Sequence, residues 1–200
     1  MLTTLFPMFL FTLAGAISPG PVNLMAASIG ANAGFARAMP HVAGASMSYA
    51  AIVWLTGSGL HGILAVYPQI AVLLPYTGAA YLLYLSARIA TAQSVAALQS
   101  PQTRVSAMAQ GVLSQSLNPK AWLVAMSGVS LFAAPGPRAP VLLLVFCGIS
   151  GVVCFFSVAL WAALGKLVSR WLARRAYQVA FNGIMALILA SSVVAMLLAA

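Results

Sequence analysis

Lys120 has the most chemistry to offer in this sequence. It sits inside the apolar segment Gln110–Ala133, in a chain of 200 residues with nine Lys and Arg and no Asp or Glu. A lysine in hydrocarbon is costly, and such charges face an interior cavity and mark a solute pathway. With no acid in the chain, its partner must be a backbone carbonyl, water, lipid phosphate or a ligand. The carboxylate of a zwitterion fits. The competing reading is snorkelling. Lys120 lies about ten residues into its segment, roughly 15 Å by helical rise, so its long side chain reaches the interface if that helix starts late.

Two helix-breaking stretches frame this lysine. Ser116-Leu117-Asn118-Pro119 immediately precedes it, and Ser18-Pro19-Gly20-Pro21-Val22-Asn23 interrupts the apolar segment Leu5–Ala27. Proline removes a backbone donor and clashes with the preceding turn. At membrane depth such breaks are tolerated where they are buried in protein or line a watery cavity. The two breaks are therefore expected to face each other across a binding site. Its residues are Pro19, Gly20, Pro21, Asn23, Ser48, Tyr49, Asn118, Pro119 and Lys120. The half-helix after Pro21 opens with free N–H groups and a positive dipole end, suited to a carboxylate. The carbonyls just before Pro19 suit an ammonium. Asn23 and Asn118 have two readings of equal weight, contact with a ligand or capping of the broken helix.

Other chemistry is thinly supplied. His41 and His61 are lone, no Ser-His-Asp set can be assembled, and no metal site or cofactor is expected. Cys147 and Cys154, seven apart in one segment, fall about two turns apart on one helical face, beyond disulfide reach. They read as small core residues. His41 and Tyr49 are candidates for relaying protons, whereas His61 falls near a membrane edge.

The elements that position these residues follow from composition. The chain is 63% hydrophobic and 4% charged, where a soluble domain carries roughly a quarter charged residues. Six segments are about long enough to span a bilayer: Leu5–Ala27, His41–Leu64, Ile70–Ala90, Gln110–Ala133, Pro140–Leu164 and Tyr177–Leu198. The absence of Lys or Arg from Met1 to Ala36 favours a first transmembrane helix over a signal peptide, despite the cleavage-like Ala14-Gly15-Ala16. The basic residues are scattered singly, which argues against nucleic acid and for loops facing an anionic leaflet. If all six segments span, Arg37, Arg88, Arg104, Lys166, Arg170, Arg174 and Arg175 share one side, against Arg138 on the other. That bias puts both termini away from the cytoplasm.

The fold class expected is all-α, an integral membrane protein whose six helices form two inverted three-helix repeats, with helices 1 and 4 broken by proline. Residues 1–91 form the first repeat, 92–108 a cytoplasmic connection and 109–200 the second repeat, together a single membrane domain. Three spans per half force the second half to insert upside down, a recurrent secondary-transporter plan with its site at midplane. Gly44 and Ser48 in one half, and Gly148 and Gly151 in the other, have the close spacing that lets helices approach.

In sequence, Pro19-Gly20-Pro21 with Asn23, the run Gly34 to Tyr49, Gly78-Ala79-Ala80-Tyr81-Leu82 and Asn118-Pro119-Lys120 resemble the LysE/RhtB amino-acid exporters. The resemblance covers nearly the whole chain in order. Ala43 to Ser48 and Gly78 to Thr91 are most similar to the cysteine/O-acetylserine exporter branch. The family implies a multi-pass exporter of the bacterial inner membrane. In one departure, many members carry a Gly-Asp pair in the second helix, where this chain has Ser48-Tyr49. A buried acid could hold a cationic side chain or carry a proton, so its loss counts against export of lysine or arginine.

The expected function is export of small neutral amino acids or derivatives, of the cysteine, O-acetylserine or threonine kind, by alternating access. The partners are the amino acid and membrane lipid, with protons and a second copy of the chain left open, and no nucleic acid. The rival from another class is a membrane scaffold subunit without transport. An intramembrane enzyme lacks an acid and a nucleophile–base set, and a channel lacks a filter sequence.

Overall fold

Proline and glycine divide this chain into eight helices among the described residues, with no strand. The computed structural model describes residues 2–59, 68–91, 104–133, 137–169 and 174–199. His61 and Arg170 lie outside them, as do most of the connections expected at 92–108 and at Pro135-Gly136-Pro137. In chain order the helices are α1 (Leu2–Ile17), α2 (Pro21–Ala33), α3 (Phe35–Gly57), α4 (Pro68–Ala90), α5 (Arg104–Ser116), α6 (Pro119–Phe132), α7 (Ala139–Val168) and α8 (Arg175–Ala199).

The order repeats. Two short helices parted by a proline break are followed by two long ones, and then the pattern recurs. At the first break Pro21 occupies the first position of α2, after an extended Gly20, and α1 and α2 meet at 61°. At the second, Pro119 opens α6 behind the N-cap Asn118. Proline suits that position because its missing donor would be unpaired there anyway. Gly34 joins α2 to α3 with a φ of 92°, a backbone region that side chains with a Cβ avoid.

The long helices are displaced from their expected places. The second apolar helix begins at Phe35 rather than His41 and stops at Gly57 rather than Leu64, because Gly34 permits an immediate turn after α2. Helix α5 runs over Arg104–Ser116, so it includes residues ahead of the apolar segment expected from Gln110. Among the described residues α7 is long and apolar enough by itself to cross a bilayer, and the bent pair α1–α2 passes the same test as one span.

Helices α3 and α7 form the centre of the bundle, with α5 packed on α3, α2 on α7, and α1 and α6 completing the first layer. Between apolar helices in lipid, close contact of backbones does the work that hydrophobic burial does in water. Glycine makes that contact at two crossings. A Cβ on Gly30 would strike the Ala162 carbonyl and one on Gly165 the Ala27 carbonyl, so α2 and α7 touch reciprocally. Helices α3 and α5 repeat the device, Gly44 against the Met108 carbonyl and Gly111 against the His41 carbonyl. By contrast nothing lies within 4 Å of a Cβ on Gly148, so this glycine is not the packing residue its spacing suggested.

The pair α4–α8 forms a second layer against α2, burying Leu24, Met25, Leu82, Leu85 and Leu189. Polar side chains fix its register. Asn32 Nδ2 donates to Asn182 Oδ1 at 3.2 Å, Gln178 Nε2 donates to Asn32 Oδ1 at 3.1 Å, and Ser86 donates to the Ala186 carbonyl. Outward, Phe6, Phe9, Met47, Trp54, Leu123, Leu144 and Phe156 are exposed, an apolar exterior matched to lipid rather than water.

Candidate functional site

Unwinding α1 at Ile17 frees a run of carbonyls that hydrocarbon cannot satisfy, and side chains take them up one by one. Ser18 Oγ donates to the Gly15 carbonyl at 3.0 Å. Asn23 Nδ2 reaches back to the carbonyls of Ala16 at 2.7 Å and Ser18 at 2.9 Å. Trp161 Nε1, from α7, donates to the Ile17 carbonyl at 3.0 Å. Lys120 Nζ completes the set with the Ser18 carbonyl at 3.1 Å, the Ser18 hydroxyl at 2.6 Å and the Pro19 carbonyl at 3.4 Å.

Lys120 therefore bridges the two breaks, which lie against each other. It is the second residue of α6, not a residue ten positions into a helix, because Asn118 and Pro119 start a new helix just before it. Its ammonium is turned inward to the opposite break rather than outward to the interface. Gly20 sits beneath it, with Nζ 3.3 Å from where a Cβ would stand.

The second break is held by its own side chains. Asn118 Oδ1 accepts from the Lys120 backbone N–H at 3.2 Å, which caps α6. Its Nδ2 then donates to Gln115 Oε1 at 3.3 Å, and Gln115 Nε2 donates to Cys154 Sγ at 3.8 Å. Trp122 Nε1 donates to the Ser116 carbonyl at 2.7 Å. Ser48 and Ser116 share a hydroxyl–hydroxyl hydrogen bond of 2.8 Å, tying α3 to this break.

Between the breaks lies a cavity of about 390 Å³, its open mouth included. It is lined by the polar or charged Asn23, Asn118 and Lys120 and by Gly15, Ala16, Gly20, Val22, Ala121 and Val124. Tyr49, Gln115, Cys154 and Val158 form the rest. Of the expected site residues, Gly20, Asn23, Tyr49, Asn118 and Lys120 line the cavity. Pro19 contributes a carbonyl to Lys120, Pro21 and Pro119 open the two helices, and Ser48 is spent on Ser116. Both asparagines are engaged as caps and braces of the breaks. The carbonyls before Pro19 are occupied by Asn23, Trp161 and Lys120, rather than standing open for an ammonium.

Gln115 and Trp161 were not found from sequence. Gln115 lies one turn before the proline of its break, a polar residue on the inner side of a helix end, and that position was the available signal. Trp161 carried none, since a tryptophan in an apolar helix reads as an interface or core residue. His41 is fully buried on α3, and its ring nitrogens Nδ1 and Nε2 make no hydrogen bond to the described residues. The described residues hold no cluster of three His, Cys, Asp or Glu side chains able to bind a metal.

Similarity to known proteins gives this arrangement a context. Residues 13–200 match the family model "LysE type translocator". The cysteine/O-acetylserine efflux protein of Escherichia coli (strain UTI89 / UPEC) is 32% identical over 194 residues, 94% of each chain. That of Salmonella typhi is 31% identical over 185 residues, 90% of each chain. No solved structure matches the chain.

Proposed function

Because the chain belongs to the LysE type translocator family, it is a membrane transport protein and not an enzyme, and we propose that its cargo is a small neutral amino acid or close derivative. The single observation behind this reading is the position of Lys120. Its ammonium stands at a cavity between two broken helices, in a chain with no carboxylate of its own. A half-buried ammonium that relies on neutral oxygens gains from a true anion, which adds charge–charge attraction to the hydrogen bond. The carboxylate of an amino acid supplies that anion. The first-turn N–H groups of α2 add donors without an acceptor inside the helix. The names of the relatives point the same way, toward cysteine and O-acetylserine. No acid is available for a cationic side chain, which disfavours lysine and arginine as cargo.

We read the eight helices as six spans in two inverted halves, α1–α4 and α5–α8, each opening with a broken span. The repeated order of two short and two long helices supports this, as does the reciprocal glycine packing at α2–α7 and α3–α5. Transport would proceed by the halves rocking around the midplane site. Lysine and arginine near the connections put the α2–α3 junction beside Arg37 and the α7–α8 connection beside Arg174 on the cytoplasmic side of the inner membrane, and both termini on the other.

Counterflow into liposomes containing the purified protein tests the reading. Labelled serine, cysteine, O-acetylserine, threonine, leucine and lysine are offered in turn. Uptake of the small neutral members is expected, with lysine excluded. Uptake of lysine alone would overturn the argument from the missing acid, and absence of flux would favour the scaffold role.

A further inference from the structure

We infer that Gln115 and Cys154 form the subsite for the cargo's side chain, and that it selects side chains bearing a hydrogen-bond acceptor over purely aliphatic ones. The inference rests on the export reading above. The direction of every amide in the chain of contacts is fixed from the helix cap outward. The Lys120 backbone N–H can only donate, so Asn118 must turn its oxygen toward it. That leaves the Asn118 nitrogen facing Gln115, whose oxygen must accept it. Gln115 is therefore obliged to turn its NH₂ group toward Cys154.

What the NH₂ group finds there is poor. Thiol sulfur is a weak acceptor, and the contact is 3.8 Å. Gln115 is 6% exposed and Cys154 is 3% exposed, so the NH₂ group stands at the cavity wall with only this weak acceptor. Buried donors cost free energy until they are paired. Gln115, Cys154 and Tyr49 line the same cavity as Lys120, so a cargo whose head group lies on Lys120 shares that cavity with them. A hydroxyl or ester carbonyl placed there accepts from Gln115, whereas a methyl group leaves the NH₂ group with its weak sulfur acceptor alone.

Serine and α-aminobutyrate differ by hydroxyl against methyl at nearly equal size, so their ratio of kcat/KM in proteoliposomes isolates this contact. Wild type is expected to favour serine by about three- to tenfold, the worth of one neutral hydrogen bond. Gln115→Met should bring the ratio close to one. Cys154 gives a test of sign with gentler changes. Cys154→Ser offers Gln115 a better internal acceptor and should lower the ratio, while Cys154→Ala removes the acceptor and should raise it. A wild type that moves serine without favouring it overturns the inference and leaves export standing. So does a ratio unmoved by all three variants, or one that moves the same way in both cysteine variants. A wild type that moves no amino acid overturns the export reading and the inference together.

Discussion

The Lys120 ammonium lies 2.6 Å from the Ser18 hydroxyl, a contact between residues 102 apart in sequence. It joins the break that ends α1 to the break that starts α6. Everything else at the cavity is arranged around this bridge, because the same ammonium holds the Ser18 and Pro19 carbonyls.

The braces of the first break should be needed for stability more than for recognition. Asn23→Leu strands the Ala16 carbonyl and leaves that of Ser18 to Lys120 alone, at about 1–3 kcal/mol. A lowered melting temperature in detergent is the expected outcome, and an unchanged one would mean that other groups satisfy those carbonyls. Trp161→Phe keeps the ring but releases the Ile17 carbonyl. It should cost less, about 1 kcal/mol, because that bond lies at an exposed position.

Glycine contacts predict a contrast within one residue type. Gly30→Ala and Gly165→Ala each drive a methyl into backbone of the facing helix, which cannot rotate away. Each should destabilise by about 1–3 kcal/mol, with Gly44→Ala and Gly111→Ala behaving alike. Gly148→Ala has open space around it and should instead stabilise the helix by roughly 0.5–1 kcal/mol. Thermal unfolding of the five variants in one detergent checks the order.

His41 offers a test of energy coupling. Its two unpartnered ring nitrogens are either an uncompensated cost or a way station for protons. His41→Leu fills a similar volume without polar atoms. If the ring only fills space, stability rises or holds and the response of transport to a pH gradient is kept. If the ring carries protons, exchange of cargo continues while a pH gradient no longer drives accumulation.

How far the sequence carried this account depends on what each residue type announces. A lone proline in an apolar run need not break it, since Pro7 and Pro40 lie inside α1 and α3. The clustered Ser18-Pro19-Gly20-Pro21 and the pair Asn118-Pro119 stand at helix starts, and clustering was the legible signal. Lys120 was legible for a similar reason, since an ammonium among apolar residues demands an explanation. The expected depth of Lys120 in its helix failed, because a single residue, Asn118, shifts the helix start by capping it. Helix ends elsewhere also moved, at Phe35 and ahead of Gln110, where the apolar pattern does not change sharply and turn geometry decides. Trp161 and Gln115 were missed because their roles depend on which helix lies opposite. A tryptophan donor acquires meaning only once the Ile17 carbonyl is beside it, and no periodicity in α7 encodes that neighbour.

The most direct test of the account is whether Lys120 binds the carboxylate of the cargo. Counterflow of labelled serine is measured for wild type, Lys120→Arg and Lys120→Gln, with unlabelled serine or serinamide as competitor. The prediction is that Lys120→Gln loses about 10- to 100-fold in kcat/KM, the worth of a charge-assisted hydrogen bond, while Lys120→Arg retains part of it. Serinamide, which lacks the carboxylate, should compete poorly with wild type. Undiminished transport by a folded Lys120→Gln protein, or serinamide competing as well as serine, would contradict the account.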